Sequence, residues 1–412
     1  MQKRRLDDWL DAYLEYTDNT EPPTQFHRWV GLSVIASVLQ RKCRLEWGSL
    51  TFYPNMYVVL VAPSGKARKG TSMAIGLQML EELGVRLAAE SITREALVRE
   101  LAECQLTVQD PNNERIEFHS SLTIFSPELT VFLGYNNFQL MSDLTDWYDC
   151  RTRWVYRTKN MGTDEIIGVW VNMIGATTPS LIQTALPMDA IGGGLTSRMI
   201  FIFEGDKKKI VPVPLFTAQE KVLRAKLVQD LEQIRLLQGE FRVTRPFLDL
   251  WVDWYHSQEN NPPFEDSRFL GYIERRPNHV MKLCQIVNAS RTSKMLIDRI
   301  DLERAINILE LSERKMPLAF SGVGRLGYAD IISSIIGFMY ERKKVTMAEL
   351  MERYSSDADP RLMASILESL VIRKIVAVGM DGTEKVVKYL PKQIASNNSN
   401  VRQITDGRND NE

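Results

Sequence analysis

The stretch Met56-Tyr-Val-Val-Leu-Val-Ala-Pro-Ser-Gly-Lys-Ala-Arg-Lys-Gly-Thr-Ser72 constrains this chain more than any other part of it. An apolar run rich in β-branched residues passes through a loop of small and basic residues straight into helical periodicity. That strand–loop–helix order is what a phosphate site needs. Backbone N–H groups wrap the phosphates, the helix N-terminus adds its dipole, a lysine pairs the β/γ charge and a hydroxyl holds Mg²⁺. The spelling is irregular: Gly65 and Gly70 have the glycine spacing of G-x-x-x-x-G-K-[ST], but Thr71-Ser72 stands where Lys-Ser/Thr belongs. With one residue of slack, Lys69 is the phosphate lysine and Thr71 the magnesium hydroxyl, while Ser64, Gly65 and Gly70 line the loop. A plain basic turn between strand and helix is the alternative.

Around this stretch the chain reads as α/β. Helical periodicity covers 6–16 and 26–40, and strands follow at 43–47, 51–53 and 56–61. Helices are expected at 71–83 and 93–103, the second capped by Ser91, then strands at 122–125, 154–157, 168–174 and 199–203. Apolar strands alternating with helices imply a mainly parallel sheet. From 216 to 325 the periodicity is helical throughout, an all-α segment. Residues 328–392 read helix, helix, helix, strand, strand, with a turn at Asp381-Gly382, the order of a winged helix. The polar, Asn/Ser/Asp-rich residues 393–412 are expected to be a disordered tail.

Three further strand ends carry polar groups. Leu122-Thr-Ile-Phe-Ser-Pro-Glu128 is an apolar strand closing on an acid, the form of a Walker B element whose carboxylate polarises water. Pro127 occupies the place of the usual Asp, and a loop residue or helix cap is the alternative for Glu128. The strand that ends in Thr177-Thr178 carries Asn172, either a sensor orienting water at a γ-phosphate or a buried, satisfied amide. Gly192-Gly-Gly-Leu-Thr-Ser-Arg198 places an arginine at a strand start, as a finger for a neighbouring subunit or as an ordinary salt-bridged side chain.

Phe26-His-Arg-Trp, Tyr53-Pro-Asn-Met-Tyr-Val-Val-Leu-Val-Ala-Pro-Ser-Gly, Arg68-Lys-Gly-Thr, Ser126-Pro-Glu-Leu, Ile174-Gly-Ala-Thr-Thr-Pro and Gly192-Gly-Gly-Leu-Thr-Ser-Arg belong together. Taken as a set they resemble phage and prophage replication ATPases, helicase-like AAA+ proteins often found beside a primase–polymerase. The resemblance covers roughly residues 5–325 and extends to Glu274-Arg-Arg-Pro-Asn-His-Val-Met-Lys-Leu and Ala319-Phe-Ser-Gly-Val-Gly. It implies an N-terminal helical segment (1–45), a P-loop AAA+ ATPase core (46–215) and a helical lid (216–325), while the C-terminal winged-helix domain (326–392) beyond it rests on the order of its elements. It also implies a homohexameric ring using ATP and Mg²⁺, with Arg275 or Arg276 as a sensor 2 arginine touching the γ-phosphate in cis.

Between the Glu128 and Asn172 strands, Arg151-Thr-Arg-Trp-Val-Tyr-Arg-Thr-Lys-Asn-Met-Gly-Thr is basic and aromatic, shaped like a hairpin tipped near Lys159. In ring helicases similar to this class such a hairpin grips single-stranded DNA, here through Arg157 and Lys159; a solvated edge hairpin is the alternative. With 51 Lys and Arg against 52 Asp and Glu the net charge is −1, so DNA binding must come from local patches or from a ring of subunits. The 328–392 segment has ten basic against nine acidic residues, too balanced for strong duplex binding. Four scattered cysteines and four unclustered histidines argue against zinc, and no apolar run approaches the ~18 residues of a membrane span. Together these features point to an ATP-dependent helicase of phage-type replication in a bacterial cytoplasm, acting on single-stranded or forked DNA beside a primase or polymerase. An ATP-switched initiator or helicase loader, and a DNA-packaging or recombination ATPase, share the same motifs.

Overall fold

The computed structural model of the chain describes residues 3–109, 116–134, 137–158, 162–185, 194–320, 329–355, 358–382 and 384–390. The chain divides into two compact units, 1–323 and 324–412. The 321–327 linker and the 393–412 tail lie outside the described residues.

The first unit is α/β, built on a five-stranded sheet in the order Gln105–Gln109, Ile116–Ser126, Val169–Thr177, Tyr57–Val61, Met199–Phe203. The last four strands are parallel, and Gln105–Gln109 runs antiparallel at the edge. Every residue of Tyr57–Val61 and of Val169–Thr177 is buried, which is why both read as unbroken apolar runs. The register puts Val61 opposite both Thr177 and Phe203, and Ser126 opposite Gly175. The loops that leave these strands therefore emerge along one edge of the sheet.

Helices Thr24–Leu39 and Lys69–Glu82 approach each other closely at Gly76, where a β-carbon would stand 2.4 Å from Val30 Cγ1. Gly175 plays the same part beside the sheet. A β-carbon there would meet Leu129 at 2.9 Å, so its absence lets Leu129 seat the turn that carries Glu128. Thr93, rather than Ser91, caps helix Arg94–Glu103 by accepting from the Ala96 N–H.

The segment 216–325 is not all-helical. Gly239–Val243 pairs in parallel with Cys43–Trp47, and Leu296–Ile297 extends the same four-stranded sheet on the other side. Phe241 turns inward between Glu240 and Arg242, an alternation too short to stand out between two long helices. One hydrophobic core runs from Trp9 and Tyr13 through Val58 and Ile174 to Leu309 and Phe320. The N-terminal helices and those after 216 thus share a single interior with the central sheet. All four cysteines are buried free thiols within the fold.

The second unit has helices Ala329–Arg342, Met347–Arg353 and Pro360–Ile372 around a core of Ile335, Leu350, Ile366 and Leu370. Its antiparallel sheet runs in the order Lys344–Thr346, Glu384–Tyr389, Val376–Asp381, turning at Gly382, whose φ of +63° suits glycine. Among the described residues no helix is long and apolar enough to cross a membrane.

Candidate functional site

The loop after Tyr57–Val61 contains two left-handed residues, Gly65 at φ +71° and Arg68 at φ +53°, ψ +41°. Left-handed residues among right-handed ones turn successive N–H groups inward into an anion-binding concavity. Glycine takes that conformation freely, whereas Arg68 holds it against the clash of its own β-carbon. Its guanidinium donates to Glu21 Oε2 at 2.7 Å, and Lys207 reaches the other oxygen of Glu21 at 2.8 Å. Lys207 first, then Arg68 and the Val211 N–H, hold the Glu21 carboxyl down at about 2.

Lys69 is the first residue of the following helix. Its Nζ folds back over the loop and donates to the Ala62 carbonyl at 2.8 Å. Burial lowers its proton affinity, and the nearby Glu128 carboxylate raises it again. Ser64, Gly65, Gly70 and Thr71 are exposed, and nothing lies within 4 Å of a β-carbon built on either glycine. Thr71 is the third helical residue with its side chain facing solvent, whereas Ser72 turns inward and donates to the Lys69 carbonyl. The open loop, a helix N-terminus and one lysine suit the phosphates of a nucleotide. Among the described residues no group of three or more His, Cys, Asp or Glu is arranged to hold a metal.

Glu128 stands two residues beyond the Ile116–Ser126 strand and opens the short helix Leu129–Leu133. Its carboxylate makes no capping bond to that helix and is exposed on the same edge as Lys69. Between them, at the end of the intervening strand, lies Thr177. This residue is 2% exposed, and its hydroxyl has no hydrogen-bond partner among the described residues. A buried hydroxyl without a partner is costly, and here it lies level with Val61, next to the loop. Only the Thr177-Thr178 pair at the strand end signalled it in the sequence.

Asn172 is not brought to this edge. Its side-chain oxygen accepts from the Met56 N–H at 2.9 Å, and its amide donates to Ser33 and Ser37 of the covering helix. Five residue steps of extended strand, roughly 16 Å, separate it from Thr177. The asparagine clamps the start of the central strand to helix Thr24–Leu39, a role that uses all of its polar atoms.

The bonds of Arg198, Arg275 and Arg276 are made to groups outside the Lys69 loop. Arg198 is in the one-turn helix Thr196–Arg198 and donates to Asp149 Oδ2 at 2.5 Å and to the Gly194 carbonyl at 2.6 Å. Arg275 meets the same Asp149 at 3.6 Å. Arg276 is buried in a bidentate pair with Glu313 at 2.7 and 2.9 Å, where burial disfavours its charge and the carboxylate more than restores it. Both arginines expected as sensor 2 are thus engaged with carboxylates of their own chain, Arg275 with Asp149 and Arg276 with Glu313. Asp149 follows helix Phe138–Tyr148 with no motif around it, so only the tertiary fold reveals it.

Arg153–Thr158 pairs antiparallel with Gly162–Ile167. Arg157 is exposed and donates to Thr163, while Lys159 lies outside the described residues. The hairpin is braced from behind. Trp154 packs edge-on to Trp147, and Arg94 lies over Tyr156 while donating to Asp143 at 2.6 Å. Of the remaining glycine loop, residues 191–193 lie outside the described residues. Compared with known families and curated proteins, the sequence matches no family model and no curated relative.

Proposed function

We propose that this chain is an ATP-driven motor of phage-type DNA replication, a ring-forming AAA+ helicase that hydrolyses ATP at subunit interfaces and moves on single-stranded DNA. One observation carries the reading. Lys69 heads a helix directly after a buried strand and a loop with two left-handed residues, and Glu128 acts on its charge from the same sheet edge. The strand that ends in Thr177 lies between theirs, an order that lets three loops converge on one phosphate chain.

In this reading the loop N–H groups and the Lys69 ammonium bind the phosphates, Lys69 exchanging the Ala62 carbonyl for a phosphate oxygen. Thr71, exposed at the third helical position, fits a Mg²⁺ ligand, and the metal when bound would offset the charge of the β- and γ-oxygens. Glu128 takes the proton of the attacking water. The Thr177 hydroxyl holds that water, the part expected of Asn172 from the motif alone. The braced, basic hairpin is the DNA-gripping element, and the three helices and sheet of 324–412 fit a winged helix. Electron microscopy with an ATP analogue and forked DNA, beside strand displacement, tests this: a ring around one strand supports it, and a monomer that does not displace strands contradicts it.

An ATP-switched initiator or loader with little catalysis is the second reading. It is favoured by the burial of Arg198 beneath Asp149 and by the full engagement of Asn172, which leave fewer groups at the reacting edge. Nucleotide binding without turnover would decide for it.

A further inference from the structure

The cluster of charges at the start of the central strand has more positive than negative groups. Among the described residues Asp149 is the one carboxylate paired with Arg198 and Arg275, so two guanidinium groups share a single negative charge. The two arginines are not equivalent. Arg198 is 7% exposed at its side chain and fixed by Asp149 and the Gly194 carbonyl, with Tyr148 beside it. Arg275 is 29% exposed and meets one carboxylate oxygen, at a distance too long for a good hydrogen bond. Burial and the neighbouring Arg198 both disfavour its charge, with Asp149 and Tyr148 opposing them. An oxyanion arriving from outside would complete the pairing, and a guanidinium fork suits phosphate oxygens.

The anion cannot come from the same subunit's loop. Asn55 donates to the Tyr148 carbonyl at 3.0 Å, which fixes Asp149 beside the start of the central strand, whereas Lys69 is bonded to Ala62 beyond its end. Seven residue steps of extended chain, roughly 23 Å, separate Asn55 from Ala62, beyond the reach of one side chain.

We propose that Arg275 is the cation presented to the ATP of a neighbouring subunit, and that Arg198 and Asp149 are the positioning residues that hold it there. The order is Arg198 onto Asp149 and Asp149 onto Arg275, so the buried arginine sets the geometry of the exposed one. This rests on the ATP-motor reading and changes it in one respect. Arg275 acts in trans, and Arg198, expected as the finger, stands behind it.

Mixing subunits separates the possibilities in full-length protein. Arg275→Ala should lower DNA-stimulated ATP turnover by about tenfold or more. Adding Lys69→Ala, inactive alone but with its own Arg275 intact, should restore part of it. Asp149→Asn should lose activity and be restored in the same way, with Asp149→Glu retaining more. A residue that merely supports its own subunit's fold would not be rescued from a neighbour. Arg275→Lys, checked by thermal melting, serves if the alanine variant folds poorly, and it should again be rescued. Wild-type turnover in Arg275→Ala, or a loss that Lys69→Ala does not restore, overturns the inference while leaving the ATP site standing. Undiminished turnover by Lys69→Ala alone would overturn the ATP-site reading and the inference with it.

Discussion

The Glu128 carboxylate favours the charge of the Lys69 ammonium across one intervening strand of a parallel sheet, although 59 positions separate them in the chain. The carboxylate favours the ammonium that burial disfavours, while the ammonium rests on a backbone carbonyl and the carboxylate is exposed. In the proposed reading these two groups, beside a curled loop at the sheet edge, receive the phosphates and the attacking water.

Thr177 and Asn172 should separate cleanly on substitution. Thr177→Val replaces an unpartnered buried hydroxyl with a methyl group, so stability should hold or rise by up to about 1 kcal/mol while turnover falls. Asn172→Ala leaves the buried Met56 N–H without its acceptor and removes the amide that ties the strand to Ser33 and Ser37, which should cost about 2–4 kcal/mol. Urea denaturation together with ATP turnover distinguishes the two.

At position 68, glycine should exceed alanine in stability by about 1 kcal/mol, because both lose the bond to Glu21 but only alanine retains a β-carbon in the left-handed conformation. Comparing the denaturant midpoints of Arg68→Gly and Arg68→Ala reads that difference directly.

The apolar strands and the strand–loop–helix unit were legible because fully buried parallel strands leave unbroken runs, and Tyr57–Val61 falls within one residue of its expected range. The strand expected from 122 instead begins at Ile116. Its first half mixes polar residues with the exposed Ile116 and Phe118 and pairs with Gln105–Gln109, an edge strand with no buried residue. Gly239–Val243 was hidden for a similar reason, since its partner lies nearly two hundred residues earlier at Cys43. Asn172 could be placed on a central strand but not at one of its ends, because only the register against Met56 decides that. The Asp149 pairing joins residues from three distant segments and has no local signature.

Acid should destabilise the protein before its carboxylates titrate. Burial holds His27 and His119 down at about 4 and His279 at about 3, so all three stay neutral in the fold. The unfolded chain protonates them near 6.5 and binds more protons below that pH. Stability is therefore fully present above about 6.5 and falls toward 4, by about 1.4 kcal/mol per pH unit for each proton taken up. Unfolding midpoints at pH 7.5, 6.0 and 5.0 should show this fall, with a shallower slope in His119→Gln.

Hairpin charge should govern DNA affinity. Arg157→Glu should weaken binding to oligo-dT most at low salt and flatten the salt dependence, by about 0.7 in logarithmic slope for each phosphate no longer neutralised. Fluorescence anisotropy across a salt series provides the measurement, and an unchanged slope would remove the hairpin from the DNA path.

ATP binding and turnover, measured side by side for the whole chain, Lys69→Ala and Glu128→Gln, test the central claim most directly. The account predicts that the unmodified chain binds and hydrolyses ATP. Glu128→Gln should bind it with turnover reduced by about a hundredfold or more, and Lys69→Ala should lose both. A Lys69→Ala protein that binds and hydrolyses ATP as the unmodified chain does would contradict it.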